Sequence, residues 1–352
     1  MDSNTIERYD RQIRLWGHDG QSRCSNSKVC LINADSLGTE IIRGLCLAGI
    51  GSFTILDSHK FTHEDIGSSF VHQSMVGRSR GESAKTMLLD INGEVHCEVH
   101  ATETRLPHCI GQTLQVSDQS SIEDASPGEA QYWKQFSCII ASGNLCLSQI
   151  NRLSKTCWSN SIPLIQCKSI GFYAVCRSQL RDHKVIDTHP EWKPANHDPN
   201  KPDTAVISTK PIFEDYENKL QEINGEDTED DFVTEYFCLK ALDLFFSTYG
   251  RLPGYNNDQV ETDISKLKEC VKRLIGKCHN QLKTLDQCLY ELCRYGGAEL
   301  HVTSAFMGGC IAQETIKIIT HQYVPVDDSL VYNAMTATTR AFKLSDIFSQ
   351  AH

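Results

Sequence analysis

An alternation of apolar runs near the start of the chain constrains its fold most. Residues 28–34 form a short continuous apolar run that ends in small polar residues, which is typical of a parallel strand buried on both faces. Apolar residues then recur at helical spacing over residues 39–48, and residues 49–57 combine a glycine turn with a second apolar run that ends at Asp57. Strand, helix and strand in this order predict a βαβ unit and therefore an α/β fold.

The same alternation continues through the rest of the chain. Further helices are expected over residues 77–89, 147–159, 232–249, 258–276, 282–295 and 302–320, and further strands over residues 136–142, 163–168, 172–177, 330–333 and 339–344. The helix over residues 232–249 is predicted to be amphipathic. The whole pattern indicates a mostly parallel sheet.

Composition divides the chain into four parts. Residues 1–188 and 296–352 are predicted to build one fold from the two ends of the sequence, with a helical segment over residues 232–295 between them. Residues 189–231 begin with several prolines, which remove backbone donors and fix φ, so this stretch is expected to be a loop or linker. Its acidic part, residues 214–231, is expected to be solvated, with an exposed helix as the alternative for part of it.

Composition also limits the classes of partner. The chain has 352 residues, of which 40% are hydrophobic, so it can bury a substantial core. Its net charge of -11, without a sustained Lys/Arg run, argues against binding to nucleic acid or to an anionic membrane, and we expect protein or small-molecule partners. The polar first residues, and the lack of an apolar run of roughly 20 residues, predict a soluble protein that is not secreted. The 16 cysteines include no C-x-x-C pair, so reduced thiols are expected rather than disulfides or structural zinc.

A motif near the start of the chain carries a family resemblance. Residues 9–17 read Tyr-Asp-Arg-Gln-Ile-Arg-Leu-Trp-Gly and are followed by Gly20 and Gln21. This segment resembles the opening of the ThiF-like family, which includes ubiquitin-activating enzymes and bacterial sulfur-carrier adenylyltransferases. The resemblance continues through residues 49–57 and 76–84. It implies a Rossmann-like, ThiF-type adenylation fold.

Within this family, the sequence is most similar to the regulatory subunits of neddylation-activating enzymes, the amyloid-precursor-binding-protein and auxin-resistance type. The similarity rests on three pairs of segments: residues 29–34 with 38–40, 250–254 with 259–268, and 293–299 with 313–320. Members of this type carry a large helical insertion. This chain has only residues 190–231 in that place, so the insertion is shortened.

The resemblance implies a regulatory, non-catalytic subunit. Such a subunit pairs with a catalytic subunit that binds ATP and magnesium, adenylates the ubiquitin-like modifier and forms the thioester. The chain itself is then expected to bind no cofactor or metal, and to lie in the cytoplasm, the nucleus or both. Two alternatives stay open: the inactive small subunit of the sumoylation-activating enzyme, and a self-sufficient homodimeric adenylyltransferase. A nicotinamide-dependent oxidoreductase is disfavoured because the sequence has no G-x-G-x-x-G loop.

The phosphate-binding loop of the family is altered in this sequence. Active members place a glycine-rich loop after the first strand, whereas residues 33–39 contain one glycine and put Asp35 where a phosphate would approach. The side chains and the negative charge both oppose nucleotide binding. Asp57 falls where the family has its ribose-binding acid. We interpret it as a vestige, since the phosphate cradle that it would serve is poor.

Three further catalytic positions of the family are also changed. The catalytic arginine falls on residues 67–70, which contain no cation, and the magnesium-binding aspartate falls on residues 142–144, which contain no carboxylate. The catalytic lysine falls on Arg80, whose planar guanidinium is not an equivalent point charge. Together these losses predict a pseudo-active adenylation fold.

Arg11 is interpreted differently. In the family, the arginine of the N-terminal motif reaches across the dimer, so the resemblance implies that Arg11 acts in trans on the ATP of the partner subunit. The alternative is a surface ion pair. Arg14 is a weaker candidate for the same role, and Trp16 is expected to pack in the core.

Cysteines and histidines predict no further site. Cys109 precedes the strand at residues 136–142, which is the wrong side of the adenylation fold for a transfer cysteine, and Cys167 is expected to be a small core residue. Three loop histidines lack a cysteine or an acid at metal-ligand spacing: His59, His63 and His72.

Overall fold

A mixed sheet of eight strands is the framework of the part of the chain that the computed structural model describes, residues 3–68, 71–100, 127–186, 204–217, 231–326 and 328–347. The strands, in chain order, are β1 (Lys28–Ile32), β2 (Ser52–Leu56), β3 (His96–His100), β4 (Cys138–Ser142), β5 (Leu164–Ile170), β6 (Tyr173–Gln179), β7 (His183–Val185), β8 (Ala205–Ile207), β9 (Ser329–Asn333) and β10 (Thr338–Phe342). β7 and β8 form a separate antiparallel pair. The other eight strands follow the order β10-β9-β6-β5-β4-β1-β2-β3.

Five neighbouring strands of the large sheet run parallel, in the order β3-β2-β1-β4-β5. This is the order of a Rossmann-like sheet, in which successive strands are added first on one side of β1 and then on the other. β6, β9 and β10 extend the sheet with antiparallel pairings beyond β5. The predicted Rossmann-like α/β fold is therefore confirmed, with its antiparallel strands confined to one side.

Helices cover both faces of the large sheet. They are α1 (Ser3–Asn26), α2 (Ser36–Leu47), α3 (Arg80–Ile91), α4 (Pro127–Trp133), α5 (Leu147–Ser159), α6 (Glu214–Glu217), α7 (Asp231–Tyr249), α8 (Val260–Ile275), α9 (Leu285–Tyr295), α10 (His301–Thr320) and α11 (Leu344–Ile347). Across the described ranges, none of the helices combines the length and apolarity that crossing a membrane requires.

The central strand β1 is buried on both faces, which explains its continuous apolar sequence. Val29 and Leu31 pack in a core cluster with residues of α2 and α10. Cys30 and Ile32 point to the other face and pack in a cluster with residues of α4 and α5. The strand therefore separates two apolar layers.

The N-terminal motif lies in α1, to which the sequence analysis assigned no secondary structure. Gly17 has φ 71° and ψ 175°, which are not helical values, so α1 bends into two halves there. The first half is held by two side chains that donate to the ends of neighbouring helices: Gln12 Nε2 to Leu47 O at 3.1 Å, and Arg8 Nη2 to Ile91 O at 3.2 Å. The bend lets both halves follow the curved surface of the fold.

The helix expected over residues 232–249 is observed as α7, but the prediction that it is amphipathic was wrong. Every residue from Phe232 to Phe245 is buried. α7 is enclosed because it contacts β6 and β9 of the sheet on one side and α5, α8 and α9 on the others. A helix that is covered all round needs no polar face.

The predicted linker at residues 189–231 lies largely outside the described residues, so its boundaries stay a prediction. The described part, residues 204–217, contains β8 and α6. One acidic residue of this described part, Asp215, is not solvated as expected. Asp215 has a side chain that is 3% exposed, and its Oδ2 lies 3.0 Å from Arg177 Nε of β6. The ion pair explains how an acidic residue of this segment can be buried.

A buried polar cluster joins α7 to the sheet. Asp243 of α7 forms an ion pair with Lys168 of β5, and the two side chains are 0% and 1% exposed. Tyr216 Oη and Gln166 Nε2 both donate to Asp243 Oδ2, at 2.7 Å and 3.2 Å. Lys240, one turn before Asp243, donates to Gln166 Oε1 at 2.8 Å. Each charge in this dry region has a partner, which is the condition for burying it.

We expect the substitution Asp243→Ala to lower the free energy of unfolding by about 3–5 kcal/mol, because the Lys168 ammonium would stay buried without its counter-charge. Asp286 is the control, since its side chain is 78% exposed and pairs with Lys268 at 2.6 Å. Asp286→Ala should lower the same free energy by less than about 1 kcal/mol. Urea unfolding followed by circular dichroism measures both, and equal losses would contradict the role given to the buried cluster.

Candidate functional site

The carboxyl ends of β1 and β4 meet where the strand order reverses, and this is the place where ligands bind in sheets of this kind. β1 is followed by Asn33, whose φ of 65° lies in the left-handed region that asparagine tolerates. Two residues later, Asp35 is the N-cap of α2. The sharp turn at Asn33 thus places the Asp35 side chain at the first turn of the helix.

Asp35 closes the crevice between the two strands. Its Oδ1 accepts hydrogen bonds from Gly38 N at 2.7 Å and from Ser142 Oγ at 2.7 Å, which joins the start of α2 to the end of β4. Its Oδ2 faces Gly143, where an added Cβ would lie only 2.5 Å from that oxygen. Burial raises the pKa of Asp35, and the Ser142 hydroxyl and the Arg80 charge offset this only in part.

A second carboxyl group reaches the same helix end. Glu299 lies just before α10, and its Oε2 accepts a hydrogen bond from Ser36 N at 2.9 Å. Burial, together with the charge of Asp35, raises the pKa of Glu299 to about 8. The amides of Ser36 and Gly38, which a free helix start would offer to an anion, therefore both have carboxyl partners within the chain.

Asp57 follows β2 and is 2% exposed, with partners on both carboxylate oxygens. Its Oδ2 accepts from Ala34 N at 2.8 Å and from Arg80 Nε at 3.1 Å. Its Oδ1 accepts from His59 N at 2.8 Å and lies 2.8 Å from His59 Nδ1. Burial alone would raise the pKa of Asp57, but His59 and Arg80 outweigh this and the pKa is lowered. Both oxygens are thus bound to groups of the fold.

The crevice therefore holds three acids around one cation, since the charge of Arg80 acts on Asp57, Asp35 and Glu299 together. Sequence reasoning named Asp35, Asp57 and Arg80 and missed Glu299. The available signal was an acid directly after a glycine turn and directly before a helix. Glu299 belongs to no periodic apolar pattern from which its position could be predicted. The packing of α10 against α2 brings it to the crevice.

The remaining altered positions border the same crevice. Of residues 67–70, the structure describes the first two, and Ser68 O accepts a hydrogen bond from Ser36 Oγ. Residues 142–144 contain no carboxylate of their own, but the Ser142 hydroxyl donates a hydrogen bond to the Asp35 carboxylate. Within the described ranges, no group of three His, Cys, Asp or Glu side chains is placed to hold a metal ion.

Arg11 lies on the first half of α1 and is exposed. In the part of the chain that the structure describes, its guanidinium forms no ion pair or hydrogen bond. Arg14 differs, because its Nη2 lies 2.8 Å from Asp10 Oδ2. Trp16 is buried, as expected, and its Nε1 donates to Gln21 Oε1 at 3.0 Å.

The singled-out cysteines and histidines that lie in the described ranges form no nucleophile or metal site in the crevice. Cys167 is fully buried in β5, and burial raises its pKa well above the usual value, which fits a core residue. Cys109 lies outside the described residues. His63 and His72 are exposed, and His59 contacts Asp57 as described.

The ThiF family model matches residues 9–350. The chain belongs to the ThiF family. Known proteins similar to this ThiF-family chain include the NEDD8-activating enzyme E1 regulatory subunit of Danio rerio, which is 24% identical with 96% of this chain and 98% of the relative covered. The subunit of the same name from Drosophila melanogaster is 24% identical, with 97% and 98% covered. SUMO-activating enzyme subunit 1 of Dictyostelium discoideum is 25% identical, with 94% and 90% covered.

The alignments with these ThiF-family relatives differ in length. The alignment with the Danio rerio protein spans 543 positions, which exceeds the 352 residues of this chain, so the relative contains a long stretch without a counterpart here. The alignment with the Dictyostelium discoideum protein spans 336 positions. In overall length, the chain is therefore nearer to SUMO-activating enzyme subunit 1 than to the NEDD8-activating enzyme E1 regulatory subunits.

The raised pKa of Glu299 predicts a pH dependence of stability. Folding raises this pKa from about 4.3, the usual value for Glu, to about 8, so the folded chain binds the proton more tightly. The stabilising contribution is complete below the lower value and is lost as the pH rises toward the upper one. We expect Glu299→Gln to flatten the fall in unfolding free energy between roughly pH 5 and pH 8.

Urea unfolding at a series of pH values measures this slope. Glu269→Gln is the control, since Glu269 lies on α8 with a side chain that is 62% exposed. The control should keep the wild-type slope. Parallel profiles for wild type and Glu299→Gln would show that Glu299 does not hold a proton in the folded state.

Proposed function

We propose that this chain is the regulatory, non-catalytic subunit of a heterodimeric activating enzyme for the ubiquitin-like modifier of neddylation. In this role, the catalytic partner binds ATP and magnesium, adenylates the modifier and forms the thioester. The names of the relatives support an activating-enzyme subunit. The observation that carries the non-catalytic role is the closed crevice, in which Asp35 and Glu299 accept the first amides of α2.

The closed crevice opposes ATP binding for two reasons. The two carboxyl groups occupy donors that a phosphate chain would need, and Asp35 and Asp57 outnumber the one cation, Arg80, so a polyanion is repelled. Asp57 is also bound on both oxygens, so a ribose would have to displace His59 or Arg80. Each buried polar group that lost its partner would cost about 1–3 kcal/mol. A self-sufficient homodimeric adenylyltransferase is disfavoured on these grounds.

Arg11 is proposed to contribute to the reaction of the partner subunit. Its guanidinium is exposed and has no partner among the described residues, whereas the nearby Arg14 is paired with Asp10. An unpaired guanidinium can donate two hydrogen bonds to phosphate oxygens and stabilise their charge. We therefore assign Arg11, rather than Arg14, as the residue that reaches the ATP of the partner.

An exposed apolar patch provides a surface for this partner. We define the patch by residues near the start of α10, the start of β6 and the end of β9: Phe172, Leu300, Val302, Phe306 and Met335. Val302 and Phe306 are 67% and 44% exposed. The patch is continuous with the core, because Phe306 stacks on Tyr332 with ring centroids 4.2 Å apart. Exposed apolar groups of this kind are typical of stable subunit interfaces.

A second candidate is the small subunit of a sumoylation-activating enzyme. The observation in its favour is the alignment with SUMO-activating enzyme subunit 1, which covers 94% of this chain and 90% of that protein over 336 positions. The closed crevice fits either subunit type. The two candidates differ in the catalytic subunit and modifier that the chain would serve.

Modifier-driven ATP–pyrophosphate exchange tests the proposal. The chain is assayed alone and mixed with the catalytic subunit of either the neddylation or the sumoylation enzyme, each with its own modifier. We expect exchange only in the neddylation mixture. We also expect Arg11→Ala to slow it by about tenfold or more, because one charged donor to the reacting phosphates is lost.

Arg14→Ala is the matched control and should leave exchange within about twofold of wild type, since exposed ion pairs contribute little. Exchange by the chain alone would overturn the non-catalytic role. Exchange only with the sumoylation subunit would select the second candidate. Equal losses in the two arginine variants would remove the assignment to Arg11 while leaving the subunit proposal intact.

The apolar patch gives a separate test of pairing. We expect Phe306→Asp to weaken binding to the catalytic subunit by about tenfold or more, because a charge would be buried in the interface. Val206→Asp is the control, since Val206 is 63% exposed on β8, which is not part of the large sheet. Size-exclusion chromatography and calorimetric titration measure the complex, and equal weakening by both variants would argue against the patch.

A further inference from the structure

A second recess lies at the opposite edge of the large sheet, where β1, β4 and β5 begin. Ser27, Ser137 and Pro163, which directly precede these strands, line it together with the end of α10. We name this recess the basal pocket. Its volume of about 700 Å³ lies within the range of small-molecule sites. The crevice that holds Asp35 lies at the other end of the same strands.

The basal pocket is basic, although the chain as a whole carries a net charge of -11. Its lining contains four permanent cations from separate elements, Arg23, Lys134, Arg181 and Lys184, and one carboxylate, Asp182. Within the described ranges, the ammonium groups of Lys134 and Lys184 form no ion pair or hydrogen bond. Asp182 pairs with Arg181 at 3.7 Å, and the other three cations leave the recess with a positive field that attracts an anion.

His183 forms part of the wall of the basal pocket. This lining residue is 7% exposed, and its Nε2 is buried without a hydrogen-bond partner among the described residues. The ring stacks on His321 at 4.8 Å between centroids, and His321 Nδ1 lies 2.7 Å from Lys184 O, so the imidazole is held in place. Because Nε2 has almost no accessible surface, His183 shapes the recess and offers it no hydrogen-bonding atom.

Two further features favour a small molecule over a protein surface. The wall of the pocket between the cations contains the side chains of Phe136, Ile162 and Leu180, which can pack against an organic group. At the rim, Ser161 and Asp182 have positive φ values of 53° and 51°. Non-glycine residues in this region are strained, and strain of this kind clusters at binding sites.

We propose that the basal pocket binds a small molecule that carries a polyphosphate group. Lys134, Lys184 and the two arginines surround the phosphates. Polyphosphate fits better than a single carboxylate because the cations come from several elements and are spread around the recess. The polyphosphate can be inorganic or belong to a nucleotide, in which case the base packs on the Phe136 wall.

Calorimetric titration of the full chain with two magnesium-free probes, inorganic tripolyphosphate and ATP, tests the proposal. We expect one saturable site for at least one probe. We expect the double variant Lys134→Glu and Lys184→Glu to weaken binding by about tenfold or more, because two charge-assisted hydrogen bonds to the phosphates are lost and two repulsive charges are added. Tighter binding of ATP identifies the nucleotide as the source, and tighter binding of tripolyphosphate identifies the inorganic chain.

The matched control is Lys268→Glu with Lys272→Glu, which reverses two exposed charges on α8. It should leave affinity within about twofold, as expected for screened surface charges. His183→Phe keeps the stacked ring and removes Nε2, and it should also leave affinity within about twofold, because Nε2 is not exposed to the recess; thermal melting confirms that the variant is folded. Absence of saturable binding up to about 1 mM, or equal losses in the basal and control pairs, would overturn the proposal.

Discussion

The hydrogen bond from Gly38 N to the Asp35 carboxylate is the contact on which the arrangement of the crevice depends. It starts α2, and through Ser142 it ties that helix to β4. In a Rossmann-like sheet, the corresponding amides are the ones available to a phosphate. A single side chain therefore sets both the first turn of the helix and the class of ligand that the crevice can accept.

Buried charge is handled in two different ways in this fold. In the cluster around Asp243, each charged group has a close partner of opposite sign, and the result joins β5 to α7. The crevice is unbalanced, with three acids around Arg80, and it is tolerated because Glu299 keeps its proton near neutral pH. The first arrangement stabilises the packing of elements. The second makes the crevice a poor site for a further negative charge.

The sheet could be predicted from the sequence because its strands are short apolar runs between clear helices. β1, with both faces buried, is the plainest example, and α5 was placed at residues 147–159 as observed. The edge strand β3 was missed because its sequence, from His96 to His100, is largely polar. α7 was mistaken for an amphipathic helix because its polar residues are satisfied by partners that lie far away in the sequence. The same long-range origin explains why Glu299 could not be placed in the crevice beforehand.

The bend at Gly17 separates two anchorages of one helix. The half of α1 that bears Arg11 is attached to the carbonyl ends of α2 and α3, whereas beyond the bend Arg23 donates to Thr320 O at the end of α10. An unbroken helix would move as a rigid body, so any displacement of Arg23 would also displace Arg11. Because Gly17 is not helical, the two halves of α1 can change position independently of each other. A shift of α10 that moves Arg23 then need not move Arg11.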